Sequence, residues 1–138
     1  MIELRPVTGV NWRGVAALEV KPAQQEFVAA STYYLSLCAY GDLWQPLAAY
    51  HNEEVCGFLM WAVEGDTCWL GGIIVDRRKQ GAGLGRAMVE AAMAHLPYQK
   101  FALSYDPLNE TAAKLYKSIG FVETGEMEDT EIVARLAR

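Results

Sequence analysis

The chain has 138 residues, a hydrophobic content of 52%, an ordinary 21% of charged residues and a formal net charge of −5. That reads most simply as one domain spanning residues 1–138, long enough to bury a core without staples. No apolar run approaches the ~20 residues of a membrane span, and neither a leader peptide nor a Lys/Arg-rich face for nucleic acid stands out.

Ile2 to Val7 alternates apolar and polar residues and predicts a first strand. Asn11 is placed to cap a short helix running to about Val20, which Pro22 breaks. A second helical stretch runs from Gln24 to Tyr40, with an interruption near Ser31, and Gly41-Asp42 ends it. Leu47 to Tyr50 and Val55 to Val63 predict strands joined by the turn His51-Asn52-Glu53-Glu54. Glu64-Gly65-Asp66 turns the chain into a third strand, Thr67 to Val75, completing an antiparallel meander. Gly71-Gly72 inside that strand suits a bulge or a close backbone approach. A glycine-rich turn then opens a helix from Leu84 to Leu96, with Leu84, Ala87, Met88, Ala91 and His95 on one face. Phe101 to Tyr105 predicts a strand. Asn109 is placed to cap a helix whose Ala112, Leu115, Tyr116 and Ile119 share a face. Gly120 suits its C-terminal turn, with Phe121 closing over the end. The tail supplies two short strands. The order β-α-α-β-β-β-α-β-α-β-β is that of an α/β fold with a mixed sheet.

Cys38, Cys56 and Cys68 are odd in number and lack CxxC spacing, so they read as reduced thiols of a cytoplasmic protein. His51 and His95 form no zinc-binding pattern, so no metal is expected.

The turn Gln80-Gly81-Ala82-Gly83-Leu84-Gly85 carries the most chemistry. Backbone N–H groups at a glycine-rich helix start, reinforced by the helix dipole, favour a phosphate. A Walker loop would end in Gly-Lys-Ser/Thr, but Arg86-Ala87 follow Gly85. A Rossmann fingerprint fails as well. The sixth position from Gly81 is Arg86, the sixth from Gly83 is Met88, and a meander precedes the turn. What remains is Gln80-x-x-Gly83-x-Gly85. It resembles the pyrophosphate-binding loop of the GNAT acetyltransferases. Asn109-x-x-Ala112-x-x-Leu115-Tyr116-x-x-x-Gly120-Phe121 resembles the second signature of that superfamily.

The resemblance implies the GNAT fold, acetyl-CoA as co-substrate, and coenzyme A contacts along Gln80, Gly81, Ala82, Gly83, Leu84, Gly85 and Arg86. Asn109, Ala112 and Tyr116 would complete that site. On position alone, the strand end at Ile73, Ile74 and Val75 offers backbone groups to an extended pantetheine arm. The N–H near Ile73 would polarise the acetyl carbonyl. Asn109 is either an N-cap only or also a cofactor contact. Tyr116 is either a core aromatic or, with a phenol pKa near ~10, also the acid that protonates the leaving thiolate.

The acceptor is argued from the N-terminal half. Gln24-Gln25-Glu26-Phe27-Val28-Ala29 with Ser31 and Tyr33 to Leu37 resembles a bacterial GNAT subgroup that acetylates spermidine and spermine. Leu103 to Asn109 and Gly120 to Glu131 resemble it too. Ser31-Thr32 and Leu70 to Asp76 depart from its pattern. A polyammonium acceptor needs carboxylates and aromatic faces. Glu26, Tyr33, Trp44 and Glu126 are the residues expected to provide them, with Tyr34, Asp42, Glu123, Glu128 and Glu131 as further candidates. The mechanism expected is direct transfer in a ternary complex, with a cysteine nucleophile as the weaker option. An amino acid, an antibiotic amine or a protein N-terminus as acceptor stays open. So do a non-catalytic acyl-CoA sensor and a homodimer built through a sheet edge or an exposed helix.

Overall fold

The computed structural model describes residues 1–138. Strand β1 (Glu3–Pro6) leads to helices α1 (Trp12–Ala16) and α2 (Ser31–Tyr40), then to strands β2 (Gln45–His51), β3 (Glu54–Glu64) and β4 (Thr67–Val75). Helix α3 (Leu84–His95), strand β5 (Lys100–Tyr105), helix α4 (Glu110–Ile119) and strands β6 (Val122–Glu128) and β7 (Glu131–Ala137) follow. This is the predicted order, element for element. The seven strands form one sheet in the order β1-β2-β3-β4-β5-β7-β6. Only the β4–β5 pair is parallel.

The central strands read as near-continuous apolar runs because both sheet faces are covered. Leu47, Ala49, Leu59 and Leu70 face α3 and α4, where Met88, Val89, Phe101 and Tyr116 complete the larger core. Ala48, Phe58, Met60 and Ile74 face the other side, where Val15 and Leu18 join them and Tyr34 and Trp44 pack against the cluster.

The bulge expected in β4 is present. Phe58 pairs with Ile74, while Met60 pairs with Gly71, so β4 holds one residue more than β3 across that interval. The extra residue flips the strand, which explains why Leu70 and Ile74 lie in opposite cores despite their even spacing. Gly72 takes φ +56°, and a Cβ there would meet the Tyr34 ring at 3.2 Å. A Cβ on Gly71 would meet the Trp44 ring at 3.2 Å. The two glycines therefore let two aromatic rings approach the strand closely.

Three local expectations are corrected. Asn11 makes no cap to α1. Its carboxamide instead closes the preceding turn, accepting from the Thr8 N–H at 2.8 Å and donating to the Pro6 carbonyl at 3.0 Å. The helix expected from Gln24 to Tyr40 is broken more deeply than an interruption at Ser31. A short 3₁₀ turn, Pro22–Gln24, is followed by irregular chain up to Ser31. Tertiary bonds win over propensity here: the Ala29 N–H donates to the Tyr34 hydroxyl, and buried Ser31 donates to the Ala16 carbonyl. In α3 the buried face is Leu84, Met88, Val89 and Ala92, rotated from the predicted one, and His95 is exposed.

Other signals hold. Asn109 caps α4, its side-chain oxygen accepting from the Ala112 N–H at 3.2 Å. Gly120 (φ +124°) ends that helix, and Phe121 closes over it, its N–H donating to the Tyr116 carbonyl at 3.0 Å. No helix is long and apolar enough to cross a membrane.

The bulge can be tested by comparing two glycines in the left-handed region. At Gly65 (φ +63°) an added Cβ would meet nothing within 4 Å. Gly65→Ala is expected to cost only the backbone penalty of about 1–2 kcal/mol. Gly72→Ala is expected to cost that and the displacement of the Tyr34 ring, and so to melt at a lower temperature by calorimetry. Equal melting temperatures would show that the ring yields freely.

Candidate active site

Parallel pairing of β4 with β5 spans only Thr67, Cys68 and Trp69. Beyond Trp69 the two strands separate, and a cleft of about 740 Å³ opens there. Gly71, Gly72 and Ile73 line one wall, and Ser104, Asn109 and Tyr116 line the other.

The backbone of β4 determines what this opening presents. The Asp76 N–H donates to the Cys56 carbonyl at 2.9 Å, and the Ile74 carbonyl abuts Gly57, so both residues face β3. Alternation along the strand then turns the N–H groups of Ile73 and Val75 toward the side that β5 has vacated. Ile74, expected among the backbone contacts to the cofactor, is corrected on this point. Its backbone faces β3 and its side chain is buried in the opposite core.

The glycine turn continues from β4. Gly81 and Gly83 take φ +88° and +74°, with nothing within 4 Å of an added Cβ. The requirement there is therefore conformational, not steric. Gly83 begins α3 without a side-chain cap, and the first helical bond runs from the Ala87 N–H to the Gly83 carbonyl. The N–H groups of Leu84, Gly85 and Arg86 are consequently left outside the helical ladder. Gly81 and Ala82 are exposed at the tip, whereas the Leu84 side chain is core. At Gly85 an added Cβ would find only ordinary contacts, with Leu115 at 3.5 Å and Val75 at 3.7 Å, so the space there does not demand glycine. Arg86 ties α3 to α4 through the Ser118 hydroxyl at 2.7 Å.

Gln80 braces this loop from within. Its amide donates to the Val75 carbonyl at 2.9 Å and to the Gln24 side-chain oxygen at 2.8 Å. Gln24 donates back at 3.1 Å and also accepts from the Lys21 N–H at 3.1 Å. Gln24 did not stand out in the sequence as a partner of the loop. Nothing in its spacing links it to a residue 56 positions away.

Tyr116 packs among Tyr105 and Phe121, with ring centroids 5.7 and 6.2 Å away. Its hydroxyl takes no partner inside the chain, and no buried polar side-chain atom is orphaned, so it opens onto the cleft. Burial, with Glu131 and Tyr105 adding to it, pushes the phenol well above the ordinary tyrosine range. Core residue and open hydroxyl thus coexist. The Asn109 side chain caps α4 while lining the cleft, and Ala112 lines it one turn on.

On the outer side, Trp44 and Tyr34 stand over the bulge and line the cleft. Glu26 is exposed outside the cleft. Tyr33 is 59% exposed and turned away, and its neighbour Tyr34 takes the inward place expected of it. The helical face of α2 decides between the two, because the Tyr34 ring stacks on buried Phe58. Glu126 lines the cleft, but Arg135 holds it at 2.7 and 3.0 Å and keeps its carboxyl below the ordinary range. The other cleft carboxylates are Glu64, Asp106, Glu128, Asp129 and Glu131, with Arg135 the one basic residue of the lining. No group of three or more His, Cys, Asp or Glu side chains is arranged to hold a metal ion.

This geometry agrees with the comparisons. The model of the acetyltransferase (GNAT) domain matches residues 42–123. The chain belongs to the GNAT acetyltransferase family. It is 26% identical to the spermine/spermidine N(1)-acetyltransferase of Bacillus subtilis (strain 168), over 92% of this chain and 91% of that one. It is 30% identical to the 5-NmdU N-acetyltransferase of Pseudomonas phage PaMx11, over 67% of each chain. Its fold superposes on the aminoglycoside acetyltransferase AAC(6')-Ib in complex with coenzyme A, with a TM-score of 0.78 at 19% identity, covering 100% of this chain and 95% of that one.

The GNAT match starts after α2, so it covers Trp44, the bulge, the glycine turn and α4 but not Tyr34 or the segment before it. The cysteines of this GNAT chain make poor nucleophiles. Burial pushes Cys38 and Cys68 up to about 11 and raises Cys56 as well.

If Gln80 braces the loop, Gln80→Ala should speed amide hydrogen exchange both at residues 80–84 and at residues 21–28, read by mass spectrometry. Acceleration confined to the glycine turn would show that the Gln24–Gln80 pair carries nothing across to the outer segment.

Proposed function

We propose that this GNAT acetyltransferase moves the acetyl group of acetyl-CoA to the primary amine of a polycation, spermidine or spermine being the leading candidates. The observation that carries the reading is the acidic cleft placed where β4 parts from β5. A polyammonium chain is drawn to a surface whose carboxylates outnumber its cations. Trp44 and Tyr34 add aromatic faces on which an alkylammonium rests favourably. The likeness to the Bacillus subtilis enzyme, which extends through the outer segment as well as the core, supports the same class.

In this reading the diphosphate of acetyl-CoA lies on the free N–H groups from Gly81 to Arg86, at the positive end of the α3 dipole. The pantetheine arm follows the vacated edge of β4, bonding the backbone of Val75 and Ile73 as a strand would. The thioester oxygen meets the Ile73 N–H, and negative charge developing there in the transition state is stabilised by it. The Tyr116 hydroxyl supplies the proton that the departing sulfur needs. Its raised pKa keeps the phenol protonated throughout the neutral range. The buried, neutral thiols favour direct transfer over an acyl-enzyme.

An aminoglycoside is also a polycationic amine, and a structural neighbour carries that name. The same cleft charge serves it, so the two are separated by turnover and not by geometry.

The test is an acceptor panel with acetyl-CoA and thiol release as readout. Spermidine or spermine should turn over fastest, and their KM should rise with salt as the cleft is screened. A preference for aminoglycosides, amino acids or peptide N-termini would displace the polyamine. Coenzyme A binding without any turnover would make the chain a sensor. Tyr116→Phe should lower kcat by about a hundredfold or more while leaving acetyl-CoA affinity in place. In the parent chain the acid form persists as pH rises past the ordinary tyrosine value of ~10. The alkaline loss of activity should therefore start above that value. Full activity of Tyr116→Phe at every pH would remove the acid role.

A further inference from the structure

Direct transfer leaves one duty unassigned. The acceptor arrives as an ammonium and must give up a proton before its nitrogen can attack. β4 supplies no base, since Thr67 to Val75 carries no ionisable side chain except the Cys68 thiol, whose pKa burial raises.

The cleft carboxylates sort themselves by their partners. Glu126 is held by Arg135. Asp106 accepts from the Leu108 N–H at 2.8 Å, closing the turn that leads to α4. Glu64, Glu128 and Asp129 are exposed at strand ends and at the β6–β7 turn. Glu131 is half-buried, as Asp106 is, but it closes no turn: at the start of β7 one of its oxygens accepts from the neutral Ser104 hydroxyl at 2.8 Å. No cation compensates it. It lines the same cleft as Tyr34 of the aromatic wall and Tyr116, the proposed acid.

We propose that Glu131 receives the reacting ammonium and takes its first proton. The inference rests on the acetyltransferase reading above. Glu131 accepts one proton from the ammonium, and the freed lone pair forms a C–N bond to the thioester carbon. As the C–S bond breaks, sulfur takes the Tyr116 proton. The resulting phenolate recovers a proton from the new amide nitrogen, and Glu131 returns its own to solvent. Ammonium and thioester thus become amide, thiol and one proton. The titratable and charged groups that share the cleft lining with Glu131 are Tyr34 of α2, Glu64 of β3, Tyr105 and the following Asp106 of the β5 end, Tyr116 of α4, Glu126 and Glu128 of β6, Asp129 of the turn, and Arg135 along β7. Tyr105 is engaged with Glu123 at 2.5 Å, and Arg135 with Glu126.

The experiment measures kcat/KM against pH for the parent chain and for Glu131→Gln, using spermidine or the fastest acceptor of the panel. Calorimetry of acetyl-CoA binding and a melting curve serve as controls on folding. Glu131→Gln keeps the shape and an acceptor for Ser104. It is expected to lose about a hundredfold near pH 7. The deficit should shrink as pH rises toward ~10.4, where solvent itself supplies the neutral amine. Glu131→Asp should fall between the two. A Glu131→Gln profile that overlays the parent, or that lies below it by the same factor at every pH, overturns the inference and leaves the acetyltransferase reading standing. A parent chain that turns over no amine overturns the reading itself.

Discussion

A parallel strand pair that stays in register spends its backbone donors on its neighbour and leaves none for a ligand. β4 and β5 pair through three residues and then part. The rest of the site depends on that separation. The bulge at Gly71-Gly72 lies just past the last paired residue, and its extra residue re-aims the strand beyond it. Without it, Ile73 would offer β3 the N–H that now faces the opening. The core would suffer as well, because Ile74 would then point toward α3 and α4, where Leu70 and Leu59 already fill the space. Packing and chemistry therefore ask for the same irregularity. An unpaired strand edge inside a sheet is costly unless something satisfies it. Here the vacated edge presents those groups to the cleft as a set of oriented donors.

The outer wall is tied to the same strand by separate means. Trp44 and Tyr34 rest on the bulge glycines, so the aromatic floor of the cleft and the direction of the Ile73 N–H are set by one feature. At the other end of the strand, the Gln24–Gln80 pair joins the 3₁₀ turn of the outer segment to the glycine turn and to the Val75 carbonyl. Phe27 and Val28, a few residues along, line the cleft. A ligand that orders the glycine turn would therefore bear on this outer segment through two neutral hydrogen-bonded amides. Each such bond is worth only about 1 kcal/mol net, so the link biases the outer segment without locking it.

What was legible in the sequence follows from the range of each cause. The glycine turn, the Asn109 cap, the Gly120 ending and the bulge are local. Left-handed φ values and short side-chain caps leave signatures within four residues, and all of these were readable. The helix expected from Gln24 to Tyr40 failed because its interruption is tertiary. Ser31 bonds to α1, and the Tyr34 hydroxyl takes the Ala29 N–H. Tyr33 and Tyr34 differ by one position on a helix that is apolar most of the way round, so periodicity could not say which ring faces inward. The contact with Phe58 decides it. Glu126 and Glu131 look alike in sequence. Their difference lies in Arg135, which pairs with one and not the other across a strand register.

The charges present an apparent conflict, since the proposed co-substrate is a polyanion and the cleft is acidic. The conflict is resolved by separating the two along β4. At its C-terminal end stand Arg77, Arg78 and Lys79 with the free N–H groups that open α3. Those three cations do not act as bare charges. Glu19, Asp76 and Glu54 pair with them in turn. Burial alone would raise the Asp76 carboxyl, but the hydrogen bonds from Arg78 outweigh it and hold the group ionised below the ordinary range. Phosphate binding proposed at this end would therefore fall mainly to backbone dipoles, which cannot be neutralised by a neighbouring carboxylate. At the other end the carboxylates converge from β3, β6 and β7, where an ammonium would lie. In the proposed reaction the reacting carbon would lie between, beside Ile73 and Tyr116. On that proposal each substrate would be drawn to its own end of the strand, and the acyl group would pass only a short distance across the bulge.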